Sequence, residues 1–129
     1  MKGEITRKAD PAPDCIFCKI VGGEAKAQKV FEDEEVLIIR DVFPKSKTHF
    51  LLIPKEHYGS MFELNECRAA VLARGLLKVK DLAPQLGLAG GYRLVCNSGA
   101  DAFQTVMHLH LHILGGEKLG ERFGGGGFA

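Results

Sequence analysis

The chain has almost no net charge, no long apolar run and no internal repeat. Seventeen Lys and Arg face 16 Asp and Glu, which leaves +1 at neutral pH. Broad binding to nucleic acid needs many cations clustered on phosphates, so no nucleic-acid partner is expected. A small anion held by a few placed groups stays open. No stretch approaches the roughly 18 apolar residues of a membrane span, so no membrane partner is expected either. Met1 to Arg7 carries charge but lacks the apolar segment of a secretory signal, and the expected address is the cytoplasm. No self-similarity recurs at solenoid periods. What remains is ordinary globular composition: 46% hydrophobic and 26% charged over 129 residues. That suffices for one domain with its own core.

Residues 1–14 are polar, with Pro11 and Pro13, and read as a flexible leader. The domain is expected over 15–118, and 119–129 forms a glycine-rich tail ending Gly124-Gly125-Gly126-Gly127-Phe128-Ala129. Cys15 to Val21 predicts one short apolar helix stopped by Gly22-Gly23. Lys29 to Glu32, Val36 to Arg40, His49 to Pro54, Tyr92 to Asn97 and His108 to Leu114 predict five strands. From Ser60 to Leu86 the apolar spacing is helical, through Leu64, Cys67, Val71, Leu72, Leu76, Val79 and Ala83. Ser60 with Glu63 resembles a capping box. Gly75 lies mid-helix, where glycine is kept for close packing. Paired strands with one long helix inserted late argue for an α+β fold with a mostly antiparallel five-stranded sheet.

Histidine and cysteine carry the chemistry. Cys15-Ile16-Phe17-Cys18 is a C-x-x-C pair, which in a reducing compartment reads as metal-binding or redox. Cys67 and Cys96 sit singly among apolar residues and read as core. Of five histidines, His49 and His57 flank an apolar strand, and three alternate in His108-Leu109-His110-Leu111-His112. In a strand, alternate residues share a face, so the three rings stand in a row opposite Leu109, Leu111 and Ile113. The backbone spacing is about 6.6 Å between neighbours and about 13 Å between the outer two. Neighbours could share a metal ion, whereas all three could not. The row therefore suits a metal cluster, or chemistry at a phosphate. Neutral imidazole is a competent nucleophile when one ring nitrogen keeps its lone pair and the other holds a proton toward an acceptor. Flanking rings can donate to phosphoryl oxygens, and Asn97 and Thr105 could add neutral donors.

The segment His108-Leu109-His110-Leu111-His112-Ile113-Leu114-Gly115-Gly116 resembles the signature of the histidine-triad superfamily. Cys15 to Ile20, Val30 to Asp33, Asp41 to Pro44, Thr48 to Lys55 and Asn97 to Gly99 resemble its other segments in order. The trailing Gly115-Gly116 is similar to the branch of nucleotide-binding purine nucleoside phosphoramidases. The resemblance implies that His110 is the nucleophile, forming a nucleotidyl-histidine that water cleaves without a catalytic metal. It implies His112 and His49 beside the α-phosphate, Asn97 near the phosphate and leaving group, and Thr105 as a hydroxyl donor. Asp41 would take the ribose hydroxyls, and Ile16, Phe17, Ile20, Ile39 and Val42 would wall the purine. A structural zinc is implied on Cys15, Cys18, His57 and His108, a closed Cys₂His₂ set. A homodimer is implied through the long helix and a central strand.

Three residues depart from that pattern. Phe103 stands where relatives carry a small residue beside the phosphate loop, Thr105 replaces a serine, and Met107 replaces an aromatic. A Trp-Pro-Pro tail is absent. These bear on leaving-group preference and rate. Competing readings are a dinucleotide polyphosphate hydrolase, a zinc-containing nucleotide-binding adaptor with little turnover, and a metallohydrolase. Gln104 is offset from the glutamine that the first would use.

Overall fold

A computed structural model of the chain describes residues 10–121. The leader lies largely, and the end of the tail wholly, outside them. Helix α1 (Ile16–Val21) precedes β1 (Lys29–Glu32), β2 (Val36–Arg40) and β3 (Thr48–Pro54). Helix α2 (Glu66–Leu82), β4 (Tyr92–Val95) and β5 (Leu111–Gly115) follow. The strands form one sheet in the order β1-β2-β3-β5-β4, and every neighbouring pair is antiparallel. The fold is thus α+β, as expected. Among the described residues no helix is long and apolar enough to cross a membrane.

The two sheet faces do different work. Val36, Ile38, Phe50, Leu52, Leu111 and Ile113 point to one face and pack with Leu72, Val79 and Ala83 of the α2 segment. Leu37, Ile39, Leu51 and Ile53 point to the other and meet Phe17 and Ile20 of α1. Burial on both faces explains why β2 and β3 read as unbroken apolar runs rather than alternating ones. A helix of six residues covers only part of the second face. That face also receives His112, which pairs across the ladder with Leu51, and His49, which pairs with Leu114.

Gly75 fits the close-packing expectation. A Cβ there would stand 3.1 Å from Leu52 Cδ1 and 3.4 Å from Val36 Cγ1. Several boundaries differ from the sequence reading. Ser60 caps a short 3-10 turn, Met61–Glu63, and Glu63 accepts from Gly59 N–H rather than closing a box on Ser60. Leu64 is extended, and α2 starts after Asn65, whose side chain accepts from Arg68 N–H. Strand β5 starts at Leu111, and β4 ends at Val95, so His108, His110 and Asn97 lie just beyond the ladder. Leu109 N–H is taken by Tyr58 C=O instead. The alternation survives, because Leu109, Leu111 and Ile113 all enter the α2-side core.

Candidate active site and metal centre

Four histidines cluster on the α1 side of the sheet, and each is oriented by a partner that fixes its tautomer. A carbonyl oxygen only accepts, and a backbone N–H only donates. His108 Nε2 lies 2.8 Å from Pro54 C=O, so that nitrogen carries the proton and Nδ1 keeps the lone pair. His110 Nδ1 lies 2.7 Å from His108 C=O, so Nδ1–H donates there and the lone pair falls on Nε2. Lys45 N–H donates to His49 Nδ1 at 2.9 Å, so the His49 proton is on Nε2. That proton faces His112 Nδ1 at 2.9 Å, which leaves the His112 proton on Nε2. Asp41 Oδ2 sits 3.4 Å from His49 Nε2, and its Oδ1 accepts Phe43 N–H.

Burial keeps the key rings neutral. His110 is pushed below the ordinary histidine value chiefly by desolvation, against the pull of its hydrogen bond to His108 C=O. His49 is lowered by burial too, with Asp41 opposing. His108 falls to about 4, again mainly by burial. The rings of His110 and His112 lie 5.2 Å apart, and Phe17 meets His110 edge-on at 5.0 Å.

His108 belongs to a second group. Its Nδ1 lies 3.3 Å from Cys15 Sγ, 3.6 Å from Cys18 Sγ and 3.1 Å from His57 Nδ1, and Cys18 Sγ lies 3.3 Å from that same His57 nitrogen. Zinc bond lengths of ~2.0–2.1 Å to nitrogen and ~2.3 Å to sulfur give tetrahedral edges of roughly 3.3 Å (N–N) and 3.6 Å (N–S). The four separations just given match those edges, and all four donors lie within 4.8 Å of one another. His108 can offer only a lone pair to the cluster, so a cation at its centre satisfies that atom. The residues fit zinc. Burial, aided by the neighbouring Cys15, pushes the Cys18 thiol up, and a bound cation would reverse that.

The other expected residues fall as follows. Phe17, Ile20 and Ile39 are buried in the α1-side cluster, whereas Ile16 and Val42 are exposed, Val42 at 79%. Asn97 follows β4 and His110 precedes β5, both just past the Val95–His112 end of the ladder. Thr105 is exposed on the loop returning to His108. Cys96 packs against the core, and Cys67 is half-buried on α2. A concavity of about 670 Å³ lies elsewhere, between Gly87, Tyr92, Arg93 and Lys118 at the other end of β5. Sequence reasoning missed the orienting groups: Pro54 C=O, His108 C=O and Lys45 N–H. They are main-chain atoms, which no residue letter announces. It also passed over the side chain of Gln104, which bonds Gly59 C=O, Val106 C=O and Gly99 N–H and so ties the 97–107 loop to the 58–62 turn.

Comparison with known proteins agrees with this arrangement. The family model described as HIT domain matches residues 22–119. An uncharacterized HIT-like protein of Synechococcus elongatus is 45% identical over 106 residues, covering 82% of this chain and 93% of its own. A HIT family hydrolase from Clostridium thermocellum superimposes with a TM-score of 0.82 at 42% identity, covering 86% of this chain and 97% of that one. A Zn-bound histidine triad family protein from Mycobacterium smegmatis superimposes at 0.73 with 36% identity, covering 88% and 84%. With its fold, its three alternating histidines and these matches in agreement, the chain belongs to the HIT domain family.

Proposed function

We propose that the protein is a nucleotide-binding hydrolase that cleaves purine nucleoside 5′-phosphoramidates through a covalent nucleotidyl-His110 intermediate. The observation that carries the reading is the His110 tautomer: Nδ1–H is spent on His108 C=O, which puts the lone pair on Nε2 of a ring that burial keeps neutral. His110 Nε2 attacks phosphorus and the P–N bond breaks. The amine leaves with a proton taken up in the site. Water then attacks phosphorus, the His110–P bond breaks, and a water proton replaces the one consumed. His112 Nε2–H donates to a phosphoryl oxygen where charge develops, and His49 holds His112 in the tautomer that allows it. Asn97 and Thr105 supply further neutral donors on the β4 side. Asp41 takes the ribose hydroxyls, for which its carboxylate retains lone pairs beyond the one given to Phe43 N–H. Phe17, Ile20 and Ile39, with the exposed Ile16 and Val42, line the purine side.

Cys15, Cys18, His57 and His108 would hold zinc, whose closed four-ligand site supplies structure rather than a reacting position. The zinc-bound relative and the hydrolase relative support both halves of this reading. A homodimer is favoured by β4, an edge strand with Tyr92 and Leu94 exposed, and by Leu77 of α2, which is 58% exposed. A cytoplasmic setting would keep the paired thiols reduced.

The test is brief exposure to adenosine 5′-phosphoramidate followed by mass spectrometry. An adenylyl adduct on His110, absent in His110→Asn, is the expected result. Wild-type hydrolysis by His110→Ala would defeat the reading. Faster turnover of a diadenosine polyphosphate than of the phosphoramidate would move the substrate class.

A further inference from the structure

Phe103 is the single non-glycine residue at positive φ among the described residues, at φ 58° and ψ 44°. A bulky side chain in that left-handed region is a genuine outlier, because its Cβ crowds the backbone. Burial does not compensate, since Phe103 is 70% exposed. Strain held without packing gain points toward a functional use of the side chain. Two more large apolar side chains share the exposure: Met107 at 55%, on the same loop, and Phe62 at 84%, on the facing turn. Gln104 and the Met61 N–H to Ser98 Oγ bond lace the two segments together, and the Phe62 ring lies over Gly99. The three side chains are therefore carried on a fixed support rather than a loose flap.

Topology says which part of a substrate meets them. β5 lies between β3 and β4, so His110 has the β2–β3 half of the sheet on one side and the β4 loop on the other. The α1-side apolar cluster takes its strand residues from β2 and β3, with Val106 packing at its edge, and Asp41 follows β2. The 97–107 loop leaves the end of β4 and returns to His108, two residues before His110. A phosphoramidate with its nucleoside over β2–β3 and phosphorus at His110 directs its amine toward that loop.

We propose that Phe103, with Phe62 and Met107, forms an apolar shelf that selects phosphoramidates whose leaving amine carries a bulky apolar or aromatic substituent. The inference rests on the hydrolase reading above and adds the class of leaving group. The experiment compares kcat/KM for adenosine 5′-phosphoramidates of benzylamine and methylamine. The wild-type ratio is expected to favour benzylamine by about three- to tenfold, the scale of one aromatic pair. Phe103→Gly, which suits the left-handed backbone, should bring the ratio toward unity through KM without lowering Tm. Phe103→Tyr, which keeps the ring, should preserve it. A ratio unchanged in Phe103→Gly, or lost equally in Phe103→Tyr, overturns the shelf alone. Wild-type protein that hydrolyses neither compound overturns the hydrolase reading and the shelf with it.

Discussion

Stripping metal from the Cys15, Cys18, His57 and His108 cluster should release α1 from the sheet. Phe17 and Ile20 are its buried apolar anchors, at 6% and 5% exposure. Burying two such side chains contributes roughly 3–6 kcal/mol, at about 1.5–3 kcal/mol each. Fixing a six-residue backbone costs about 6–12 kcal/mol, at about 1–2 kcal/mol per residue. The midpoints of the two ranges leave α1 short by about 4.5 kcal/mol on packing alone, which bonds from Cys15 and Cys18 to a metal tied to His57 and His108 can supply. At ~1.4 kcal/mol per factor of ten, amide exchange across Ile16–Val21 should accelerate on the order of a thousandfold in metal-free protein. β2 and β3, buried on both faces, should stay protected. Because Phe17 lies 5.0 Å from the His110 ring, hydrolysis should fall with the helix. Hydrogen exchange by mass spectrometry reads the first effect, with elemental analysis verifying that metal is gone. Equal protection of α1 in metal-free and metal-loaded protein would refute the reasoning.

The remaining predictions concern stability. Gln104→Ala should cost about 2–3 kcal/mol in urea unfolding, because three hydrogen bonds vanish and leave backbone groups without partners. Gly75→Ala gains about 1 kcal/mol of helix propensity but loses about 1–3 kcal/mol to crowding against Leu52 and Val36, so the net change should be destabilising; a raised Tm would mean that Leu52 moves aside. Burial lowers His49 in the fold, so the unfolded chain binds its proton first as pH falls. The contribution of His49 is complete above about pH 6.5, the unfolded value, and is lost as pH drops below that toward the depressed folded value. Tm should therefore decline below pH 6.5, and His49→Gln should make that decline shallower.

The parts of this molecule legible in its sequence are those that depend on side-chain period. Alternation at His108, His110 and His112 gave one face for the rings and the other for leucine and isoleucine, and the core keeps that division. The first two strands keep their expected bounds and the third gains one residue, whereas β4 ends two residues early and β5 starts three residues late. Those errors have a common origin. Extension of β5 back to His108 would need partners on β3 and β4, but the ladders stop at the Leu52–Leu111 and Val95–His112 pairs. The true start of α2 turned on Leu64 being extended and Asn65 capping, against a competing cap signal at Ser60. The Cys15–Cys18 spacing flagged a metal site, but His57 stands 39 residues from Cys18 and His108 90, a separation that no local pattern bridges.

Least legible was the control of proton positions, and it separates two neighbouring groups of similar donors. Cys15, Cys18, His57 and His108 form one candidate cluster, and Asp41, His49 and His112 form another. In the first, Pro54 C=O takes the proton side of His108, so a lone pair faces the thiols, as it must in a cation ligand. In the second, Lys45 N–H takes the lone-pair side of His49, so a proton faces His112. For His49 Nε2 to ligate an ion, its proton would have to move to Nδ1, where it would meet Lys45 N–H head-on. The main chain thereby leaves one imidazole a lone pair toward the Cys/His cluster and gives another a proton toward His112. His110 stands between them with Nδ1 tied to the carbonyl of its metal-side neighbour, so that whatever fixes His108 also aims the Nε2 lone pair of His110.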